Sequence, residues 1–190
     1  MTQAKILAFA GSARKESWNR KVLSVAVQGA RDAGAEVTLA NLGDYPMPIY
    51  DADWHDANGV PESMLKLREL MMPANGLLIA SPEYNASVTP LLKNTLDWLS
   101  QSVDGASGSA PYANKIGALI GASNGAFGTI RALPHVSYIL SNLGVFMLPV
   151  VAVSGVGQAF DAAGNLSNER TRNMVAGLGE KLARTIEKLS

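Results

Sequence analysis

Two rhythms of apolar and polar residues take turns along the chain. Apolar runs come at residues 4–10, 76–80, 115–121 and 146–153. Their length and lack of alternation predict strands buried on both faces. Glu36-Val37-Thr38-Leu39 alternates instead, as an edge strand does, and Pro149 puts the last strand at an edge too. Between the strands, apolar residues recur at helical spacing. Val22, Val25, Ala26, Gly29, Ala30 and Ala33 make one stripe over residues 19–33, which Gly34 ends. Met64, Leu67 and Met71 make another over 62–72, with Pro61 just ahead. A helix over 90–100 has Thr89 as its N-cap and Pro90 at its first position. A further helix covers 130–143, where Pro134 marks the start or a kink. The last covers 168–189, with the stripe Met174, Leu178, Leu182, Ile186 and Leu189. Residues 41–59 read as irregular, and 104–109 as a Ser/Gly-rich loop.

Five strands and five helices in strict alternation predict an α/β fold with a doubly wound parallel sheet. For five strands the leading order is the flavodoxin-like 2-1-3-4-5, with its switch point between the first and third strands. Ligands bind beyond the carboxyl ends of the strands at such a point, so the loops after strands one, three and four are expected to meet.

The first of these loops is Gly11-Ser12-Ala13-Arg14-Lys15-Glu16-Ser17-Trp18-Asn19. A strand that runs into a small-residue loop and then a helix aims backbone N–H groups and the helix N-terminus at one point. Ser12, Arg14, Ser17 and Asn19 are the side-chain types that add hydrogen bonds to a phosphate there. The loop lacks the glycines of a Walker loop or a dinucleotide fingerprint. Hydroxyls and one Arg suit a terminal phosphate monoester better than a buried pyrophosphate.

The loop after strand three runs from Ser81 to Pro90, with Pro82 and Pro90 fixing its ends. Such rigidity suits presenting backbone groups to the edge of a flat heterocycle, with Tyr84 packed along it. The loop after strand four, 121–131, holds Gly121, Gly125 and Gly128, which let backbone approach a ligand. It also matches G-x-S-x-G, the nucleophile elbow of hydrolases, at Gly121-Ala122-Ser123-Asn124-Gly125. A hydrolase of that kind needs an acid and then a His downstream. The one downstream His, His135, has no Asp or Glu between it and Ser123, so a ligand wall of small residues is the better reading. Asp51, Asp53, His55 and Asp56 resemble a metal cluster, but their spacing fits no calcium loop. They read as solvated, and no metal site is expected. Ser154-Gly155-Val156-Gly157 lacks a third Gly in place and follows the strand at the wrong edge.

Composition narrows the classes. Lys+Arg and Asp+Glu both number 16, and no basic stripe points to nucleic acid. No apolar run nears the roughly 20 residues of a membrane span. The N-terminus lacks a signal-peptide pattern. With no Cys there are no disulfides, thiol redox chemistry or iron–sulfur clusters. A cytoplasmic location is expected.

Taken together the motifs resemble the NAD(P)H-dependent FMN reductases of flavodoxin-like fold, which include bacterial quinone, chromate and azo-dye reductases. The marks are Gly11-Ser12-x-Arg14-x-x-Ser17-x-Asn19, then Pro82-Glu83-Tyr84-Asn85-x-Ser87 with Leu92-Lys93-Asn94-x-x-Asp97-Trp98, then Ser123-x-Gly125-x-x-Gly128-x-x-Arg131. The resemblance implies a single FMN-binding domain over residues 1–190. It implies that Ser12, Arg14, Ser17 and Asn19, with Trp18 beside them, hold the FMN phosphate. Pro82, Glu83, Tyr84 and Asn85 would line the isoalloxazine, largely through backbone atoms, and Ser123 and Gly125 would close the other side. NADPH or NADH would be the hydride donor in a ping-pong cycle. A quinone, free flavin, azo dye or oxyanion would be the acceptor, and a homodimer or homotetramer the assembly. No side chain is assigned as a catalytic acid or base. The alternative is a flavodoxin-type electron carrier that does not itself oxidise NAD(P)H. Such carriers tend to be acidic, and this chain is neutral.

Overall fold

Residues 3–161 and 164–189 are described by the computed structural model. Along the chain come β1 (Lys5–Ala10), α1 (Trp18–Asp32), β2 (Glu36–Ala40), α2 (Ala52–Asn58), α3 (Glu62–Met71), β3 (Gly76–Ala80), α4 (Pro90–Leu99), β4 (Ile116–Ala122), α5 (Ala132–Asn142), β5 (Phe146–Met147), β6 (Val151–Val153) and α6 (Glu169–Leu189). The sheet is parallel in the order β2-β1-β3-β4-β5, with β6 also on β4. This is the expected doubly wound α/β order. Every residue of β3 and β4 is buried, whereas β2, with a partner on one side only, is mostly exposed.

Two apolar layers flank the sheet. On one face α1 and α6 pack over Ile6, Ala8, Leu78, Ala118 and Ile120. On the other, α3, α4 and α5 pack over Leu7, Phe9, Leu77, Ile79 and Leu119. Alternate residues of each strand thus serve opposite cores, which is why the strands read as unbroken apolar runs.

Three expectations need correction. The fifth strand is two short ones. Leu148 still donates to Gly117 O at 2.8 Å, but Pro149 has no N–H to continue the ladder, and pairing resumes only at Val151. In α6, Met174 and Leu189 lie outside the buried stripe, being 45% and 71% exposed. The covered residues are Val175, Leu178, Gly179, Leu182, Ala183 and Ile186.

Residues 41–59 are not irregular throughout. Asp51 caps α2 by accepting from Trp54 N at 2.8 Å. This helix has no buried residue, so no apolar stripe announces it. The segment clasps α4. Trp98 Nε1 and Asn94 Nδ2 both donate to Pro48 O, at 2.7 and 2.8 Å, and Tyr50 N donates to Asn94 Oδ1 at 2.8 Å. The motif pair Asn94 and Trp98, one helical turn apart, therefore holds this strap.

Candidate functional site

The loops after β1, β3 and β4 leave the same edge of the sheet because the strands are parallel; β1 and β3 end level, and β4 runs two residues further, to Ala122. Ala10 faces Ala80, and Ala80 faces Ile120. The ladder continues into the loops: Gly11 N donates to Ala80 O at 2.8 Å, Ser81 N to Ile120 O at 2.9 Å, and Ser123 N to Val153 O at 3.1 Å. Backbone bonds thus fix each loop at its root.

Ser12, Arg14, Ser17, Trp18 and Asn19 line one shallow cleft of about 110 Å³ together with Pro82 and Tyr84. Ser17 is the N-cap of α1, and its side chain accepts from Arg20 N at 3.4 Å. No acidic residue stands in the first turn, so the positive end of the helix is not neutralised from within. Arg14 folds back on its own loop, Nε donating to Glu16 O at 3.1 Å. Trp18 stacks on Phe160 at 5.5 Å between ring centroids, and Lys21 Nζ lies 4.7 Å over its ring.

Asn19 does more than line the cleft. It is 4% exposed, and its amide pairs with the backbone of Ala122: Nδ2 donates to Ala122 O and Oδ1 accepts from Ala122 N, both at 2.9 Å. The side chain acts as a short stretch of strand that joins the first turn of α1 to the end of β4. One Nδ2 hydrogen and the residue's backbone N–H remain for a ligand.

Residues 81–89 carry a tight turn. Tyr84 and Ser87 exchange backbone bonds of 3.0 Å, with Asn85 at φ 50° and Ala86 at φ 64° between them. Two consecutive left-handed residues make the mirror-image hairpin turn. Ala86 has no side-chain bond to offset that conformation, so its surroundings must hold it. Tyr84 is 57% exposed beside the cleft. At the far end Thr89 Oγ1 donates to Gly11 O at 2.8 Å, which ties the start of α4 to the root of the first loop.

Glu83 turns its side chain toward α5. The carboxylate pairs with the Arg131 guanidinium and accepts from the backbone N–H groups of Arg131 and Ala132, each at 3.1 Å. Burial pushes this carboxyl up, but the Arg131 side chain, the two backbone N–H groups and the Arg131 charge together hold it below its ordinary 4.5. The anchor is therefore complete above that ordinary value and is lost as the pH falls through the lowered one.

Ser123 and Gly125 lie outside the walls of the cleft, on the loop that Asn19 fastens to it. Residues 154–157, which the sequence pattern set aside, join that loop: Val156 N donates to Ser123 O at 3.2 Å and Gly157 N to Asn124 Oδ1 at 2.6 Å. Thr129 stands at φ 73°, a costly conformation for a β-branched residue. Among the described residues its hydroxyl is the one buried side-chain polar atom without a hydrogen-bond partner. Gly121 makes room for it, since a Cβ there would sit 1.7 Å from Thr129 Oγ1. Thr89, Asn124, Thr129 and Arg131 thus build the site's frame without having been assigned to it. Thr89 and Arg131 carried a local signal, as cap and motif residue; Asn124 and Thr129 carried none.

The hydrolase relay is not assembled. His135 Nδ1 pairs with Ser87 Oγ at 2.9 Å, on another loop from Ser123. Among the described residues no three His, Cys, Asp or Glu side chains are grouped to hold a metal ion, and Asp51 is spent on its helix cap.

Comparison with known proteins gives a consistent picture. The family model described as NADPH-dependent FMN reductase matches residues 4–159, a span that contains all three loops. An NAD(P)H-dependent FMN reductase of Pseudomonas aeruginosa is 36% identical over 173 residues, 90% of this chain and 89% of that protein. A 2-hydroxy-1,4-benzoquinone reductase of a Burkholderia species is 31% identical over 181 residues, 94% of each. Among solved structures, the flavoenzyme NAD(P)H:(acceptor) oxidoreductase FerB from Paracoccus denitrificans superposes with a TM-score of 0.82 at 28% identity, covering 97% of this chain and 98% of that one.

Proposed function

The chain belongs to the NADPH-dependent FMN reductase family, and from that premise we propose that it is an FMN-dependent NAD(P)H oxidoreductase acting on quinones or flavins. One observation carries the reading at the level of residues: the family match and the convergence of three loops at the switch point fall on the same stretch of chain. The residues of the cleft suit the phosphate of FMN. Two serine hydroxyls, a guanidinium and a helix N-terminus free of acids are the donor set for a phosphate monoester.

FMN held there would supply the redox chemistry, hydride transfer from a nicotinamide to an acceptor. The chain's own residues bind and orient. In this reading Ser12, Arg14, Ser17 and Asn19 hold the phosphate, and Trp18 walls it. The backbone of Pro82, Glu83, Tyr84 and Asn85 faces the isoalloxazine, and Ser123 and Gly125 close its other side. Backbone N–H groups turned to the ring would stabilise negative charge on it. No acid or base is assigned. The exposed Tyr84, Phe127, Ile130 and Tyr138 favour a homodimer or homotetramer with this edge near the subunit contact. An azo dye or an oxyanion would be a further acceptor, and the cytoplasm the compartment.

Visible absorption after FMN loading, followed by anaerobic NADPH, tests the function. Rapid bleaching of a bound flavin spectrum is the expected result. Bound flavin that neither NADPH nor NADH bleaches means an electron carrier, and no bound flavin removes the assignment. Arg14→Ala should weaken FMN binding about tenfold to a hundredfold, the range for hydrogen bonds to a charged group, and leave the bound spectrum unchanged. Equal affinity in a fluorescence titration would exclude Arg14 from the phosphate site.

A further inference from the structure

Helix α5 begins without a cap of its own. Its N-cap residue, Arg131, has helical backbone angles and no side-chain cap bond. Thr129, two residues earlier, is left-handed, so the chain enters the helix from a sharp reversal. The first N–H groups of a helix need acceptors, and a carboxylate is the best one at its positive end. Thr129 O takes Ala132 N at 3.0 Å and Leu133 N at 3.2 Å. Glu83, 48 residues away, supplies the acceptor for Arg131 N, and the same oxygen shares Ala132 N with Thr129 O.

The anchor has a second point one turn along. His135, four residues after Arg131, pairs with Ser87. Residues 83 and 87 bracket the turn that holds Asn85 and Ala86 in left-handed conformations. This strained turn is thus fastened at both ends to one helix face, and α5 acts as the ruler for its position. The Arg131 guanidinium bonds the other carboxylate oxygen, Nε at 2.8 Å, but its side chain is 56% exposed against 8% for Glu83, and solvent weakens that pair. The two backbone N–H groups bond the carboxylate as well, and they stay when the Arg131 side chain is removed.

We propose that Glu83 is a positioning residue for the isoalloxazine site: by capping α5 its carboxylate fixes the backbone of residues 82–85 that faces the ring. This rests on the flavin reading above. The role differs from lining the site, because the side chain points to the helix and only the main chain is left for the ligand.

Amide hydrogen exchange in the FMN-free protein tests the cap without any ligand. Glu83→Ala should speed exchange about tenfold to a hundredfold at Arg131 and at residues 84–87, and less at Ala132, which keeps its bond to Thr129 O. Arg131→Met should change it by less than about threefold. FMN titration of the same proteins tests the positioning role. Glu83→Ala should bind about 30-fold more weakly with an altered flavin absorption band, and Glu83→Gln, which keeps one acceptor oxygen, about fivefold. Arg131→Met should stay within about threefold. Should Glu83→Ala fail to fold, Glu83→Gln against Arg131→Met decides between cap and ion pair. Unchanged exchange in the Glu83 variants overturns the cap whether or not FMN binds. Faster exchange with wild-type FMN affinity and spectrum overturns the positioning role. A wild-type protein that takes up no FMN overturns the flavin reading itself, and this role with it.

Discussion

Gly179→Ala is expected to lower the unfolding free energy by about 3 kcal/mol, while Gly177→Ala, two residues earlier in the same helix, raises it by up to about 1 kcal/mol. A Cβ on Gly179 would lie 1.8 Å from Ala26 O and 2.9 Å from Ala30 N, both backbone atoms of α1. The contact is reciprocal, because a Cβ on Gly29 would lie 2.1 Å from Ala176 O. The two helices touch backbone to backbone, so no side chain can turn aside. One helix must move, and the core over β1, β3 and β4 moves with it. At Gly177 nothing lies within 4 Å of the added methyl. Only the gain in helix propensity remains there, and Ala is favoured over Gly. Urea unfolding of the two variants beside wild type checks this, provided the slope with denaturant is unchanged. Equal shifts of one sign would mean that α1 and α6 do not meet at these glycines.

Asn19→Leu is expected to cost about 3 kcal/mol of stability and at least about tenfold in FMN affinity. Leucine suits a helix and keeps the branching at Cγ, though its methyls are bulkier than the amide and add some overpacking. What changes is Ala122, whose N–H and C=O both lose the partner they have at 2.9 Å. Leaving each buried group unpaired costs about 1–3 kcal/mol. The first turn of α1 then loses its tie to β4, and the donors for the phosphate no longer keep a set distance from residues 123–131. Apo-protein denaturation measures the first effect and flavin fluorescence titration the second. A midpoint equal to wild type would show the pair of bonds to be dispensable. A stability loss with wild-type FMN affinity would show Asn19 to be a clamp alone.

Asn19 also shows where reading the chain stops. Its place in G-S-x-R-x-x-S-x-N marks it as polar and important, and a phosphate ligand is the natural local assignment. Its partner is 103 residues away, and no pattern near Asn19 names Ala122. Glu83 repeats the lesson, since its motif marks the residue but not that the carboxylate caps a helix. Local chemistry fared better. Thr89 does cap α4 and accepts from Leu92 N at 3.4 Å, because a cap depends on residues three apart. Pro149 does mark an edge strand, because its missing N–H is a property of the residue itself, but the break it makes between β5 and β6 was not expected. Helix α2 escaped because it buries nothing, and without burial there is no periodicity to read.

By itself, then, the sequence determined the order of strands and helices apart from α2 and the division of the last strand, the parallel sheet and its order, and the three loops at the switch point. Each of these follows from apolar periodicity and turn chemistry, which act over a few residues, and from the few orders open to a doubly wound sheet of this strand count. Only the tertiary structure decided how the loops are held: Asn19 on Ala122, Glu83 on α5, Thr89 on Gly11, Asn124 on Gly157, and Gly29 and Gly179 where α1 meets α6. Those pairings depend on which atoms come within about 3 Å once the layers are packed. A hydrogen bond at that range leaves no periodic trace along the chain, so a residue type can be read in sequence while its partner cannot.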